Sequence, residues 1–538
     1  MIYPLLTASL LLLSLGVIQA APASSDEGES WWSHVKILAD DKMEGRDTGS
    51  EGYRKAAAYV AGEFRRIGLK PGGTKGYYQP VTFRVRQIIE EQSSLELVSN
   101  GQSQRLSLSE DANFGLPSDV VGKVNANAIF VGHGLVIPEM EIDDLAGLDL
   151  KGKIAVVLSG GSKDIPGAIK AHYSHPSEQW KALHQAGAIG IASIRNPKAM
   201  DIPWSRATLA RLNPGMSLAD SALNDTRGLK FVIRINPAKA ERFFAGTGRT
   251  FADLLKLADE NKPLPKFSLQ VSIRAKVAFK KSQIESMNLA GVLEGSDPKL
   301  KHEYVVLSAH LDHLGVGQPI EGDAIYNGAM DNAAGISSLL EVARLLQESG
   351  SPLHRSILFL AVTGEEKGLQ GSKYFAHYPT VPKHALVANL NTDMFLPLFP
   401  LKRLKVLGLG ESTLGDEIRS VCSAVGVSVQ PDPQPERNSF IRSDQYSFIR
   451  QGIPALAFGF GYELGSPEHK LHQEWLRTRY HAPSDDLNQP LDLAAAAQFN
   501  RLLLAATQRI ANHPERPRWN LDSFFRRFAE PANKIGFK

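Results

Sequence analysis

Apolar residues recur with a helical period in three stretches of the chain. In the second stretch, Ala56, Val60, Phe64 and Ile67 share one helix face, and Gly68 suits the C-terminal cap. The spacing is the one that buries one side of a helix against a core. The pattern predicts helices over residues 31–39, 52–67 and 333–347.

Short apolar runs indicate two kinds of β structure. Between residues 81 and 281 they alternate with turns, which predicts a mostly β unit with a helix or two. From residue 287 onward the order is strand, loop and helix, repeated, which is typical of an α/β sandwich with a mainly parallel sheet. Buried strands are predicted over residues 357–362 and 385–390, and a hairpin is predicted over residues 289–293 and 304–308.

Composition and charge narrow the class of protein. A chain of 538 residues with 43% hydrophobic and 22% charged residues is long enough for two or more domains with their own cores. Its 60 basic and 57 acidic residues leave a net charge of +3, which gives no support to a nucleic-acid or membrane-surface partner. Cys422 is the single cysteine, so no intramolecular disulfide is available.

The first twenty residues have the form of a cleavable secretory signal. An apolar run over residues 5–18 ends in Gln19-Ala20-Ala21, and a polar segment follows. We expect cleavage after Ala20 and an exported, periplasmic or secreted protein without membrane association once the signal is removed. Because no Lys or Arg precedes the apolar run, the alternative is an uncleaved membrane anchor.

Acids and histidines gather just after the predicted strands of the second half. In open α/β sheets the carboxyl ends of the strands are where ligands bind, so these side chains are expected to converge. Two imidazoles and three carboxylates with no thiolate suit a pair of catalytic zinc ions, one carboxylate serving as a bridge. Taken singly, each residue is explained by a helix cap, a turn or a solvated charge. The five groups are His310-Leu311-Asp312-His313, Asp331-Asn332, Glu365-Glu366, Asp393 and His481.

The ordered set resembles the co-catalytic zinc aminopeptidases of the bacterial leucyl aminopeptidase and aminopeptidase Y type. That family also includes glutamate carboxypeptidase II and the glutaminyl cyclases. The resemblance extends from about Ala39 to Ala511 and includes the segment 45–50, Gly-Arg-Asp-Thr-Gly-Ser. It implies the zinc exopeptidase fold, a three-layer α/β/α sandwich with a mixed, mainly parallel sheet.

The resemblance also implies roles for the site residues. His310, Asp331 and Asp393 would bind one Zn²⁺. Asp331, Glu366 and His481 would bind a second, so that each chain carries two ions. Glu365 would act as general base, since it adjoins a ligand without being one.

Other side chains near these motifs are given supporting roles. Asp312 is predicted to accept the second ring N–H of His310 and so to fix its tautomer. Asp485 or Asp486 is expected to orient His481, and His313 is left without an assigned role. Ser443, Asp444 and Tyr446 are predicted to lie near the substrate pocket, the alternative being hydrogen bonds that support the fold.

The middle unit resembles a protease-associated domain, through residues 143–157 and 180–191. Such a domain would shape or cover the entrance to the site, and the alternative is a plain spacer. The resulting division of the chain is an export signal over 1–20, a discontinuous zinc peptidase domain over 30–85 and 283–512, a protease-associated insert over 90–281, and a C-terminal tail over 513–538.

These inferences predict an exported aminopeptidase that acts on peptides. A dipeptidase, a carboxypeptidase or a glutaminyl cyclase of the same fold would keep the same residues, so these specificities stay open. A non-catalytic binding module is the remaining alternative, although such relatives are expected to lose ligands and none is missing here. The side-chain preference and the oligomeric state are not determined by the sequence.

Overall fold

The computed structural model describes residues 25–529 of the chain. The predicted export signal over residues 1–20 and the last part of the C-terminal tail lie outside the described residues. In the described part, no helix combines the length and the apolar character needed to cross a membrane.

The three helices predicted from the apolar pattern are confirmed. Ser50 begins the second of them by accepting a hydrogen bond from the Tyr53 amide, and Gly68 ends it in the left-handed conformation at φ 92°. The helices are α1 Ser25–Leu38, α2 Glu51–Ile67, α3 Gly167–Ser174, α4 Pro176–Gln185, α5 Trp204–Ala207, α6 Glu241–Phe244, α7 Phe251–Asp259, α8 Ala334–Ser349, α9 Gln370–His377, α10 Leu414–Ala424, α11 Gln445–Ile449, α12 Pro467–Thr478 and α13 Leu493–Asn512.

The strands fall into two large sheets and two small hairpins. They are β1 Lys70–Pro71, β2 Tyr78–Ile88, β3 Ser94–Ser99, β4 Gln102–Leu106, β5 Ala112–Gly115, β6 Lys123–Phe130, β7 Val136–Ile137, β8 Ile142–Asp143, β9 Ile154–Leu158, β10 Gly190–Ile194, β11 Gly215–Leu218, β12 Phe231–Ile235, β13 Phe267–Lys276, β14 Phe279–Leu293, β15 Tyr304–His310, β16 Gly315–Ile320, β17 Asp323–Tyr326, β18 Ser356–Val362, β19 Leu386–Thr392, β20 Arg403–Leu407, β21 Ser428–Gln430 and β22 Ala455–Phe460.

The larger sheet has the order β11-β2-β14-β18-β15-β19-β22-β20-β21, with β1 beside β14. Its central strands β18, β15, β19 and β22 are parallel, and antiparallel pairs flank them on both sides. The predicted hairpin of β14 with β15 is wrong, because β18 lies between them, antiparallel to β14 and parallel to β15. Strand order is decided by burial between distant segments, which a short connecting turn does not report.

Helices cover both faces of this sheet and give the expected three-layer α/β/α sandwich. Alternate residues of β18 point to opposite faces. Phe359 joins the core beneath α1, α2, α8 and α13, whereas Leu358 and Leu360 pack with Phe375 of α9 and Phe448 of α11. The central strands are buried on both sides, as their continuous apolar sequence predicts.

The second sheet forms between β2 and β14, where the chain leaves the larger sheet at Ile88 and returns at Phe279. Its order is β4-β3-β13-β6-β9-β10-β12-β5, and β6, β9, β10 and β12 run parallel to one another. Helices α6 and α7 pack on one face and α4 on the other. We call this unit, residues 90–276, the insert. One of its segments, β11, returns to pair with β2 at the edge of the larger sheet.

Phe359→Ala tests how far the larger sheet depends on its buried face. Because Phe359 is fully buried in the central strand β18, its truncation is expected to lower the free energy of unfolding by about 3–5 kcal/mol. Chemical denaturation followed by tryptophan fluorescence measures the change. Leu471→Ala on α12, where the side chain is 50% exposed, is the control and should cost far less. Equal losses in both variants would contradict this assignment of the core.

Candidate metal centre

The predicted site residues come together at the carboxyl edge of the larger sheet. His310 is the last residue of β15, Glu365 and Glu366 follow β18, and Asp393 follows β19. Asp331 reaches the same edge from the turn before α8, where its peptide bond to Asn332 is cis. His481 arrives from the loop after α12. Parallel strands end side by side, so residues far apart in sequence meet here.

Asp331 lies between two groups of side chains and contributes one oxygen to each. In the first group, Nε2 of His310 is 3.2 Å from Oδ1 of Asp331 and 3.2 Å from Oδ1 of Asp393. In the second, Nε2 of His481 is 3.3 Å from Oδ2 of Asp331 and 3.4 Å from Oε2 of Glu366. A carboxylate shared in this way is the arrangement of a bridging ligand.

His313 also reaches the second group, which the sequence did not indicate. Its Nδ1 is 2.9 Å from Oε1 of Glu366 and 3.8 Å from Oδ2 of Asp331, and the side chain is completely buried. His313 and His481 therefore approach the same pair of carboxylates from two directions. The available signal was its position three residues after His310, at the end of a buried strand.

The donor atoms fit a divalent metal ion. Ligand atoms of His310, Asp331 and Asp393 lie within 4.8 Å of one another, and so do those of His313, Asp331 and Glu366. Within residues 25–529, the buried Oδ2 of Asp331 lacks a well-formed hydrogen bond, and its contact with Nε2 of His481 is 3.3 Å long. Unsatisfied buried donors and acceptors are costly and call for a partner. Imidazole nitrogens and carboxylate oxygens without thiolate suit a catalytic zinc site.

Concentrated charge at the site shifts the pKa of several groups. Burial favours the neutral form of His481, but Glu366 and Asp331 outweigh it and raise its pKa to about 10. Burial likewise opposes the charge on His310, whereas Asp393 and Glu365 hold its pKa well above the usual value. Without a metal the protonated forms of His310 and His481 are therefore favoured, and they compensate the carboxylates. A bound cation would take over that role and release the protons.

Glu365 stands beside these groups as a partly buried carboxyl. Burial raises its pKa well above the usual value, and Glu366 and Asp393 raise it further, against the opposing effect of His310. It lines the same pocket as Asp331, Glu366 and Asp393. A carboxyl group that favours the protonated form in the bare site is suited to taking up and returning a proton.

The role predicted for Asp312 differs from what its contacts show. Nδ1 of His310 meets the main-chain carbonyl of Asp312 at 3.0 Å, not its carboxylate. The carboxylate instead accepts hydrogen bonds from the amides of Glu365 and Glu366 and from the hydroxyl of Thr48. Asp312 therefore fixes the loop that carries the acid pair, while its backbone fixes the tautomer of His310.

Asp485 supports the loop of Asp331, the shared carboxylate. Its hydrogen bonds do not go to His481, which one of the two predicted alternatives gave as its partner. Its oxygens accept the main-chain N–H groups of Met330 and Asp331 at 2.9 and 3.0 Å, and Gln489 donates a third hydrogen bond. The side chain is completely buried, and burial raises its pKa to about 7. The other alternative, Asp486, contacts Asn488 and Arg479.

Asp485→Ala is expected to weaken zinc binding by about 10-fold to 100-fold, because the Asp331 loop loses the acceptor that holds it. Titration of the metal-free protein against a competing chelator measures the affinity. Asp486→Ala removes a neighbouring carboxylate outside this network and serves as the control. The same affinity in both variants would contradict a positioning role for Asp485.

Arg46 is a further supporting residue whose role the sequence did not reveal. Its buried guanidinium donates to the carbonyls of Leu311, Asn327 and Gly328, which flank two of the ligand loops. Burial lowers its pKa to about 10. Arg46 therefore ties the segment before α2 to the metal loops. Arg46 belongs to the motif over residues 45–50, but these three carbonyls lie more than 260 residues further along the chain.

The three predicted substrate residues take different positions. Ser443 lines the pocket beside Glu365 and Asp393, and its hydroxyl accepts a hydrogen bond from Asn391. Asp444 is fully buried nearby, and burial raises its pKa to about 7. Tyr446 contacts the insert, where its hydroxyl lies 2.8 Å from Nδ1 of His172, and it lines a separate cavity. Their part in substrate binding stays a prediction.

The pocket at the metal centre has a volume of about 170 Å³. Met394, Leu407 and Phe458 contribute apolar side chains to its lining, and the carboxylates of the centre line it too. The insert contributes Asp201, which forms ion pairs with Arg437 and Arg442. The pocket is thus small and partly apolar, and four of its carboxylates belong to the metal centre.

Comparisons with known proteins match the part of the chain that contains this centre. Residues 288–507 match the model of peptidase family M28. A segment of 173 residues is 29% identical to carboxypeptidase Q of Rattus norvegicus, and 115 residues are 30% identical to carboxypeptidase Q of Pongo abelii. These matches cover 32% and 21% of this chain. The chain spans about a third of the length of the first relative (32%) and about a fifth of the length of the second (22%).

The similarity in fold covers a larger part of the chain than these sequence matches do. The structure of an aminopeptidase from Aneurinibacillus sp. strain AM-1 superimposes with a TM-score of 0.53 and covers 92% of this chain and 97% of that one. At 17% identity this likeness concerns the fold alone. The ligand edge of the sheet lies within residues 288–507, the part of the chain that matches peptidase family M28.

Proposed function

We propose that this protein is an exported zinc-dependent exopeptidase that removes the amino-terminal residue from peptides with two co-catalytic zinc ions. The observation that supports it most is the position of Asp331, with one carboxylate oxygen facing His310 and the other facing His481. Two groups of ligands that share one carboxylate suit a pair of metal ions. Glu365, beside the pair and in the same pocket, is the proton carrier that hydrolysis needs.

The residues divide between the two ions through the shared aspartate. His310, Asp331 and Asp393 would hold one zinc ion, and Asp331, Glu366 and His481 the other. His313 contacts Glu366 and either orients it or adds a nitrogen to the second group. Bound zinc would supply Lewis-acid polarisation of the scissile carbonyl and lower the pKa of an attacking water.

Glu365 carries the proton in this proposal. One carboxylate oxygen receives a proton from the attacking water, and the same group delivers it to the departing amine. Asp312 keeps Glu365 in place by accepting its main-chain N–H at 3.1 Å. Met394, Leu407 and Phe458 line the same pocket, and their apolar side chains strengthen electrostatic interactions there relative to bulk water.

Carboxylates in the pocket give the amino group of an aminopeptidase substrate a partner. A peptide's free amino terminus is a cation, and six carboxylates line the small pocket, four of them at the metal centre, beside the basic Lys405, Arg437 and Arg442. Two zinc ions would balance the four carboxylates of the centre, so the amino group is expected to contact individual carboxylates and not a net negative charge. The full set of ligands together with Glu365 favours hydrolysis over the cyclisation of glutaminyl cyclases, and it gives no support to a non-catalytic binding module.

A carboxypeptidase is the second candidate, because the two curated relatives bear the name carboxypeptidase Q. Hydrolysis of matched peptides separates the two activities. Zinc-loaded protein lacking residues 1–20 is incubated with Ala-Ala-Ala, its N-acetylated form and its C-terminal amide, and the products are identified by mass spectrometry. Cleavage that requires the free amino group supports the aminopeptidase. Cleavage of the acetylated peptide from its C-terminus would replace it with the carboxypeptidase.

The insert is proposed to be a protease-associated domain that covers the entrance to the site. Arg206 of the insert donates to the carbonyls of Leu476 and Arg477 at 2.8 Å, and Asp201 bridges Arg437 and Arg442. Both contacts hold the insert over the mouth of the pocket. We therefore assign to it the shape of the substrate entrance and not the role of a spacer.

A further inference from the structure

A second and larger cavity lies between the metal centre and the insert. It has a volume of about 630 Å³, and its walls include Glu366 and His481 on one side. On the other side are Ser159, Arg195 and Arg234, which stand at the carboxyl ends of the parallel strands β9, β10 and β12. The cavity thus connects the metal centre to the strand ends of the insert, a usual place for ligands in sheets of this kind.

Arginines dominate the walls of this cavity. Three of the five have protein partners: Arg211 pairs with Glu90, Arg442 pairs with Asp201, and Arg206 donates to backbone carbonyls. The acids on the walls are Asp201, already paired with arginines, and Glu366, a candidate metal ligand. The arginines are Arg195, Arg206, Arg211, Arg234 and Arg442.

Arg195 and Arg234 are the two without a partner. In the part of the chain that the structure describes, neither guanidinium has a hydrogen bond or an ion pair, although both side chains remain accessible from the cavity. They are neighbours, since Arg234 of β12 pairs in register with Ser193 of β10, two residues before Arg195.

The two cations also repel each other and their surroundings. Burial lowers the pKa of Arg195, and the charge of Arg442 lowers it further. Burial and the charge of Arg195 lower the pKa of Arg234 in the same way. Both side chains are exposed to the cavity, and an anion that binds between two neighbouring cations relieves their mutual repulsion. Arginine is the residue that best matches a carboxylate, through paired hydrogen bonds.

We propose that Arg195 and Arg234 bind a substrate carboxylate on the leaving-group side of the scissile bond, which makes short peptides with a free C-terminus the preferred substrates. This inference rests on the proposed aminopeptidase function. The small pocket at the metal centre suits the N-terminal residue and its amino group, and the larger basic cavity suits the remaining residues. The charges of a short peptide, positive at one end and negative at the other, match this order. An acidic side chain in the leaving segment offers the same chemistry as the C-terminus.

Steady-state kinetics on zinc-loaded enzyme tests the proposal. The substrates are Ala-Ala-Ala and its C-terminal amide, with Ala-Asp-Ala amide and Ala-Asn-Ala amide to distinguish a side-chain carboxylate from a terminal one. The variants are Arg195→Gln, Arg234→Gln and Arg234→Lys. Arg105→Gln is the matched control, because Arg105 is an exposed arginine on β4 of the insert and lies outside the cavity.

The wild-type enzyme is expected to prefer the free acid to the amide, and each Gln variant to lose about 10-fold to 100-fold in kcat/KM on the free acid, through KM. The amide should be little affected, Arg234→Lys should recover part of the loss, and Arg105→Gln should match the wild type. If only Ala-Asp-Ala amide exceeds its Asn counterpart, the bound carboxylate is that of a side chain. Equal losses on acid and amide, or no loss, would overturn the proposal.

Binding separates this inference from the proposed function. Calorimetric titration of Ala-Ala-Ala into Glu365→Gln protein, with and without Arg234→Gln, should show weaker binding when the arginine is absent. An enzyme that hydrolyses none of the peptides, yet binds the tripeptide through Arg234, would refute the aminopeptidase and keep the carboxylate site. Hydrolysis of all the peptides, together with tripeptide binding that Arg234→Gln does not weaken, would keep the aminopeptidase and refute the carboxylate site.

Discussion

Replacing Glu365 by Gln is expected to lower kcat by about 100-fold to 10,000-fold, because the amide occupies the same space but cannot take a proton from water. Zinc content should stay unchanged, since Glu365 lies beside the two ligand groups without belonging to either. Activity on a free-amino tripeptide and metal analysis of the same preparation measure the two quantities. A small loss of kcat would contradict the role of Glu365 as base.

The control for this variant is Glu321→Gln, an exposed glutamate in the turn between β16 and β17. It makes the same chemical change away from the centre and should keep both activity and metal. A loss of zinc in Glu365→Gln would assign the residue to the metal and remove it from proton transfer.

Replacing Asp331 by Ala has the second of the two large effects. Because one oxygen of Asp331 faces His310 and the other faces His481, its removal is expected to lower the bound zinc from two ions per chain to less than one. Activity should fall below detection with it. Mass spectrometry of metals after dialysis gives the stoichiometry, and circular dichroism checks that the variant is folded.

Asp416→Ala on α10 is the matched control, since its side chain is 77% exposed and far from the ligand edge in sequence. It should retain the full zinc content. If Asp331→Ala loses one ion and keeps the other at full occupancy, the shared-ligand arrangement is incorrect and Asp331 belongs to a single metal.

The sequence predicted the parts of the site that depend on strand ends. His310, Glu366 and Asp393 directly follow apolar runs, and parallel strands deliver such residues to one edge whatever the exact strand order. The same reasoning explains why the incorrect prediction of a hairpin of β14 and β15 did not affect the prediction of the site. Inserting β18 between them changes the neighbours of β15 but leaves His310 at the same edge.

The hydrogen bonds that hold the site residues in place could not be predicted from the sequence. Arg46 donates to a carbonyl 281 residues away, and Asp485 accepts the amide of Asp331 154 residues earlier. A hydrogen bond to a backbone group requires no particular residue type in the partner, so no motif records it. Asp312 shows the same limit, because its carboxylate serves two backbone amides and not the neighbouring histidine.

His313 and the insert arginines were missed for a different reason. A histidine three residues after a predicted ligand has no periodicity that distinguishes a metal neighbour from a packing residue. Arg195 and Arg234 stand at strand ends in the insert, for which the sequence analysis assigned no site residues. Their significance arises from the cavity that the two sheets enclose together, and that cavity exists only once the insert is placed over the metal centre.

Diffraction from crystals of the zinc-loaded protein, recorded on both sides of the zinc absorption edge, tests the central claim most directly. The account predicts two anomalous peaks about 3.5–4 Å apart, one beside His310 and Asp393 and the other beside Glu366 and His481, with Asp331 bonded to both. The second peak also decides whether His313 contributes a nitrogen. A single peak, or two peaks that do not share Asp331, would contradict the two-metal centre.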